Sequence, residues 1–442
     1  MNRGDFLIPG LAAVALGAFA ASEWITHPHV HDHKVHVVYW EKWTGFEFDA
    51  MKKVVDTFNT SQDKIQVDLL SISGIENKTL LAIAGGVPPD VAGLFGPNVQ
   101  QYADDNALMP LDGYCRAAGI KSDQYIQGFW DIGVANGHVY ALPSTPATTA
   151  LHYNRALFRA AGLNPDDPPQ TMEELSADAE KLTQKGPDGK ISVSGFIPAE
   201  PGWWNWAWGE FFGGTLWDGK SKITIDSPEN VRAFEWLQSF SKKYGPTDLQ
   251  VFRSGFGTFS SPQNAFMEGK VAMEIQGVWM YNFITEYAPK LDWAAAPFPH
   301  PADRPDLADS AILDEDVLCI PRGAKHPAAA FQFIKFVQSQ KGMEMLCLGQ
   351  KKITPLVKVS NYFLEHHPNK YIQLFVQMAH TKHPIVTPHL GIWPQYSAEI
   401  SNAFDEIVLM TKTPQEALAE VQARMQPKLD AYLKRMHERG LR

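Results

Sequence analysis

At 442 residues the chain is too long for one ordinary domain and points to two or three folded units. Hydrophobic residues at 45% and charged residues at 20% exclude a disordered or membrane-embedded chain. A formal charge of -10 without any Lys/Arg-rich run excludes the footprint of a nucleic-acid binder.

The amino terminus reads as an export segment: Arg3, an apolar run from Phe6 to Ala21, and Ala18-Phe19-Ala20 as an A-x-A cleavage site. The run is shorter than the ~20 residues of a spanning helix, with an uncleaved anchor as the alternative. Asn2-Arg3-Gly4-Asp5-Phe6-Leu7 is also like a twin-arginine signal with one arginine missing. No cysteine follows the run, so a lipoprotein anchor is not expected. Residues 1–34 are therefore assigned to a signal or anchor and a linker. The histidines in and after that linker, His27, His29, His31, His33 and His36, lack a carboxylate or cysteine to complete a metal site, and a solvated linker is the favoured reading.

From Val35 the periodicity predicts strand, helix, strand: Val35, Val37 and Tyr39 alternate, Met51, Val54, Val55 and Phe58 recur at helical spacing, and Ile65, Val67 and Leu69 alternate. A second helix about 77–84 stops at Gly85-Gly86, and Pro88-Pro89-Asp90 leads into the apolar run 91–95. This is a βαβ unit of a buried parallel sheet. Strand patterns at 139–142 and 151–153 flank Pro143-Ser144-Thr145-Pro146, an extended crossing between units rather than a turn.

Beyond that crossing, Thr171 and Glu174 form a capping box for a helix to about 184, 191–197 is a strand, and Ser227-Pro228 caps a long helix to 244. A short helix is expected at 264–268, then a strand at 271–275. The proline-rich stretch 291–301 and Pro321-Arg322-Gly323, after a strand at 317–320, mark two further crossings. Asp314-Glu315-Asp316, beside a crossing strand, is expected to be a solvated loop, with a polar edge of the cleft as the alternative, and Thr413-Pro414-Gln415-Glu416 caps a final amphipathic helix.

Tryptophan is the compositional outlier, with 13 in the chain, and Trp203, Trp204, Trp206, Trp208 and Trp217 fall in one short stretch. Trp130, Trp236 and Trp293 are assigned to cores. The three cysteines form no C-x-x-C, and only Cys319 with Cys347 is considered for pairing. No G-x-S-x-G, H-E-x-x-H, P-loop or complete G-x-G-x-x-G is present, so no enzymatic activity, cofactor or metal is expected.

Four blocks carry a family resemblance. They are Tyr39 to Phe58 with Ala84-Gly85-Gly86-Val87-Pro88-Pro89-Asp90-Val91; Gly137 to Pro143 through Tyr153-Asn154-Arg155, Gly162-Leu163 and Thr171 to Leu175; Ala265 to Met273 with Gly277-Val278-Trp279; and His326 to Ala330 through Phe336 and Gly342. In these the chain resembles the extracellular solute-binding protein family 1, the group of ABC-importer sugar-binding proteins that contains maltose-binding protein. The resemblance implies an α/β, two-lobed periplasmic-binding-protein fold with three interdomain crossing segments and a ligand cleft between the lobes. It divides the chain into an N-terminal lobe of 35–143 with 294–320 and a C-terminal lobe of 144–293 with 321–442.

The same resemblance implies a monomer in the periplasm or at the cell surface. Such a protein captures a carbohydrate by hinge closure and hands it to permease subunits. Its motif matches place Glu41, Lys42, Trp43, Phe95, Asn98, Glu200, Trp203, Trp204, Trp279, Trp393 and Tyr396 at the ligand. Physical reasoning agrees on the residue types, because a pyranose has apolar C–H faces for aromatic platforms and an equator of hydroxyls for polar groups. Gly96-Pro97-Asn98 lacks the acidic and arginine pair of the maltose binder, so maltose itself is not implied. The alternatives are an exported carbohydrate-active enzyme using a carboxylate pair, or the same fold holding a glycerol phosphodiester, polyol or polyamine.

Overall fold

The structure is a computed structural model and describes residues 33–440. The proposed export segment and most of the histidine stretch lie outside the described residues. Of the latter, His36 is held at 2.7 Å by Asp68 on the neighbouring strand.

The opening alternation folds as expected. Strand β1 (Val35–Glu41) leads into helix α1 (Gly45–Ser61), which returns to β2 (Ile65–Ser71). β1 and β2 pair in parallel from Val35↔Ile65 to Glu41↔Ser71. Helix α1 buries Ala50, Met51, Val54, Val55 and Phe58 against the sheet. Full burial of each large apolar side chain is worth about 1.5–3 kcal/mol, so this face anchors the unit. Helix α2 (Ile75–Ala84) then delivers β3 (Val91–Phe95), parallel to β1 on its other side.

The proline-marked crossing at 143–146 is part of one continuous strand, β4 (Ala141–Asn154), all fourteen residues of which are buried. The later strands of the sheet are β5 (Ile191–Phe196), which pairs with β6 (Val271–Gly277), and β7 (Trp293–Ala296) and β8 (Ala311–Cys319). The first half of β4 pairs antiparallel with β8, from Ala141↔Cys319 to Thr148↔Leu313, and the second half pairs antiparallel with β6 and β7. The sheet order is β2-β1-β3-β8-β4-β6-β5, with β7 also on β4. It is mixed rather than wholly parallel, because β4 and β8 run antiparallel through it. A bulge between Asp316 and Val317 accommodates Pro143 and its neighbours, which cannot donate a full ladder.

The molecule is thus a bilobed α/β protein of the periplasmic-binding type, with β4 and β8 passing between lobes. Asp314, Glu315 and Asp316 sit inside β8, not in a solvated loop, and Glu315 is only 2% exposed. The short helix expected at 264–268 is a turn, in which Asn264 Oδ1 accepts from the backbone N–H groups of Phe266 and Met267.

Two expected crossings fall elsewhere. Residues 293–296 stay on the second lobe's sheet, and Pro321 bridges to Leu108 within the first lobe. Helices Pro327–Val337 and Gln340–Gln350 then pack Phe333, Ile334, Met343 and Leu346 into the same core as Val37, Val54 and Phe58. The expectation that 321–442 belongs wholly to the second lobe therefore fails for this stretch: its apolar helix faces complete the core over α1. The chain goes back along helix Ile372–Ala379, where the Phe375 carbonyl accepts from Thr148 Oγ1 at 3.1 Å, and enters the second core at Ile385.

Candidate functional site

Lobe one contributes a wall built on buried charge. β1 ends at Glu41, whose carboxylate accepts from the Tyr39 hydroxyl and from the Lys42 backbone N–H at 2.7 Å. Lys42 Nζ lies 3.1 Å from Asp316 Oδ1 and 3.3 Å from Glu41 Oε1, with the carbonyls of Gly93 and Leu94 at 3.1 and 3.3 Å. Burial alone would lower the ammonium's pKa, but Asp316 and Glu41 outweigh it and raise it. Glu41 and Lys42, expected to bond the ligand, have their polar atoms committed within the protein and do not line the cavity beside them. They brace Trp43 instead. Lys42 Nζ stands 4.9 Å from the Trp43 ring and 4.7 Å from Phe95, and Lys352, ion-paired to Glu47 at 2.8 Å, stands 5.1 Å from Trp43. Trp43 meets Phe95 edge-on at 5.7 Å.

Lobe two contributes an aromatic wall. Trp203 stacks edge-on against Trp204 at 5.6 Å and Phe259 at 4.5 Å, and both tryptophans lie within 6.0 Å of Trp279. Gly277 makes this geometry possible. A Cβ there would meet the Trp279 ring at 2.3 Å, so only glycine lets the ring fold back onto the end of β6.

Between the walls is a cavity of about 390 Å³ lined by both sets of rings, by Glu47 and Lys352, and by the crossing strands: Thr145 and Ala147 from β4, Asp314, Glu315 and Asp316 from β8. Asp316 is held by Thr145 Oγ1 at 2.9 Å as well as by Lys42. Among the described residues neither carboxyl oxygen of Glu315 has a hydrogen-bond partner, and burial, then Asp316 and Asp314, push its pKa well above the carboxylate range. Asp314 is pushed up to about 6 by burial and by Asp316. Among the described residues the floor therefore offers carboxyl groups, two of them pushed toward the protonated form, and no arginine. Such a lining suits a neutral, hydroxyl-rich solute with apolar faces.

Of the residues expected at the ligand, the cavity gathers Trp43, Phe95, Trp203, Trp204 and Trp279. Asn98 opens a short helix next to the cavity without lining it. Glu200 faces an adjoining chamber and is ion-paired to Arg253 at 2.7 Å. Trp393 and Tyr396 belong to the core of lobe two. With Ile400, Ala403, Phe404 and Ile407 they form the inward stripe of helix Trp393–Val408, Trp393 packs on Trp206 at 5.5 Å, and the Tyr396 hydroxyl donates to the Leu216 carbonyl.

Sequence reasoning misses Glu47, Phe259 and Lys352, and for the acidic triplet it favours a solvated loop over the cleft edge that the structure shows. The triplet did carry a signal, since three charges sit between the apolar runs Ala311-Ile312-Leu313 and Val317-Leu318-Cys319-Ile320. Among the described residues no group of His, Cys, Asp and Glu is arranged to hold a metal ion. Cys319 and Cys347 are free and buried, so the pairing considered for them is not made.

The family model for bacterial extracellular solute-binding proteins matches residues 53–367, more than half of the chain. The chain belongs to that family. As a solute-binding protein it is an exported binding component, not an enzyme. It is similar to the sn-glycerol-3-phosphate-binding periplasmic protein UgpB of Pectobacterium atrosepticum, at 22% identity over 86% of this chain and 88% of that one. The corresponding Yersinia enterocolitica protein is 23% identical over 86% of this chain and 89% of its own. Among solved structures it is similar to CpMnBP1 with mannobiose bound, at 28% identity, TM-score 0.78, covering 88% of this chain and 99% of that chain. The sugar-binding protein MalE from Xanthomonas citri shares the fold at 20% identity and TM-score 0.75, over 91% and 99% of the two chains.

Proposed function

We propose that the solute is a short neutral oligosaccharide, captured by closure of the two lobes and delivered by a monomeric protein to the permease of an ABC importer. The observation that carries this reading is the lining of the interlobe cavity, with six aromatic rings, four of them tryptophans, from two lobes set over a floor of carboxyl groups. Each platform contact adds about 0.5–1.5 kcal/mol beyond its area, so several together supply a substantial part of the ~8 kcal/mol that a micromolar affinity requires. A ligand touching both walls binds the closed arrangement better and shifts the population toward it. The similarity to a protein solved with mannobiose bound makes mannobiose and mannotriose the first sugars to test.

A glycerol phosphate, the solute named for the curated relatives, fits the lining less well. A phosphate monoester would face Glu47, Asp314, Glu315 and Asp316, while Lys42 and Lys352 are already paired with carboxylates. By the packing of the two cores, we place 35–143 with 314–366 in lobe one and 149–312 with 385–436 in lobe two.

The deciding experiment is calorimetry with parallel tryptophan fluorescence on mannobiose, mannotriose and sn-glycerol 3-phosphate. Heat and an emission change with a sugar, and none with the phosphate, are expected. Binding of glycerol phosphate alone would overturn the carbohydrate reading.

A further inference from the structure

Lobe two holds a second chamber of about 470 Å³, which shares Trp203 and Phe259 with the lining of the interlobe cavity. On its lining lies Glu274 of β6, a carboxyl 3% exposed whose Oε1 has no hydrogen-bond partner among the described residues. Two neighbours share its condition. Gln276, two residues on and so on the same face of the strand, has an unpartnered Nε2, and His152, the register partner of Glu274 on β4, has an unpartnered Nε2. A buried polar atom left without a partner is costly to the folded state. Gln276 and His152 do not themselves line the chamber; Glu274, a buried and unpartnered carboxyl that does, is the mark of a surface completed by something that enters it.

We infer that Glu274 is the base of a second sugar-binding chamber in lobe two, so that the ligand is an oligosaccharide running from the interlobe cavity past Trp203 and Phe259. This rests on the carbohydrate reading and deepens it. Burial, and then the nearby charge of Glu200, hold the Glu274 carboxyl in its protonated form well above the usual range. A protonated carboxyl both donates and accepts, which matches a sugar hydroxyl and offers no charge to a phosphate or an amine. Trp203, 42% exposed at the boundary, supplies a ring on which a pyranose can pass from one chamber to the other.

The test is calorimetry of the full chain with mannobiose and mannotriose, for the wild type, Glu274→Gln and Glu274→Leu, each checked by thermal melting. The wild type should bind mannotriose about tenfold or more tightly than mannobiose, one further platform and hydrogen bond being worth roughly that factor. Glu274→Leu should remove most of this preference while leaving mannobiose within about twofold, and Glu274→Gln should retain it. Equal wild-type affinities, a measurement that does not depend on any variant folding, overturn the second chamber and leave the carbohydrate reading standing. So does a Glu274→Leu effect that is equal on both sugars. If the wild type binds neither sugar, the carbohydrate reading falls and the chamber proposal falls with it.

Discussion

The two walls of the cleft are made in opposite ways. Trp43 in lobe one is flanked by two ammonium groups, each fixed by a buried carboxylate, and by the edge of Phe95. Trp203 in lobe two is 42% exposed and packs its ring against those of Trp204, Phe259 and Trp279. Charge geometry is directional and leaves one orientation for the first ring, whereas ring-on-ring contacts tolerate tilt. The contrast indicates a set platform on one side and an adjustable one on the other, an arrangement that can close over solutes of differing length.

The strongest way to break this contrast is Lys42→Met. It leaves Glu41 and Asp316 buried without their shared cation, a class of change that costs about 3–5 kcal/mol. Chemical denaturation should show that loss, and a variant as stable as the wild type would mean that the charged brace contributes nothing. Next in size is Trp279→Ala. It removes the ring against which Trp203 and Trp204 both pack, and calorimetry should show affinity falling by about 10–100-fold. Gly277→Ala should move affinity the same way by a smaller factor, because its Cβ displaces the ring without deleting it.

How much of this was legible in the sequence depends on the distance over which each feature is decided. Val37, Tyr39, Met51 and Val54 announced β1 and α1 because alternation and helical spacing are local, and Pro143 to Pro146 announced the extended crossing for the same reason. Glu41 and Lys42 were found at the right place with the wrong partner, since the carboxylate that claims Lys42 is Asp316, on a strand far along the chain. Asp314-Glu315-Asp316 looked solvated because a run of charges facing an interlobe cavity and one facing bulk water are spelled alike. Trp393 and Tyr396 lie on the inward stripe of their helix, a local periodicity that motif analogy alone does not register.

The acidic floor should make the unliganded protein sensitive to pH. The folded pKa of Asp314, at about 6, lies above its ordinary 3.8. Folding therefore favours the protonated form, and the associated stability is full below about pH 4 and is lost as pH rises through 6. Asp314→Asn should be more stable than the wild type at pH 7.5 by about 1–2 kcal/mol, a figure reduced for the partial exposure of the side chain, and should converge with it at pH 4. Thermal melts across that range decide it, and a constant difference would place the effect outside the titration.

The smallest effect belongs to Tyr396→Phe, which distinguishes a core residue from a cleft residue. The hydroxyl is buried and donates to the Leu216 carbonyl at 2.8 Å, far from the cavity lining. Its removal should cost about 1 kcal/mol of stability and leave sugar affinity within error, because the lost hydrogen bond lies inside lobe two and faces neither wall. Denaturation and calorimetry on the same preparation separate the two readouts. An unchanged stability with weakened binding would return Tyr396 to the ligand wall, and would show that helix Trp393–Val408 turns toward the cleft when the lobes close.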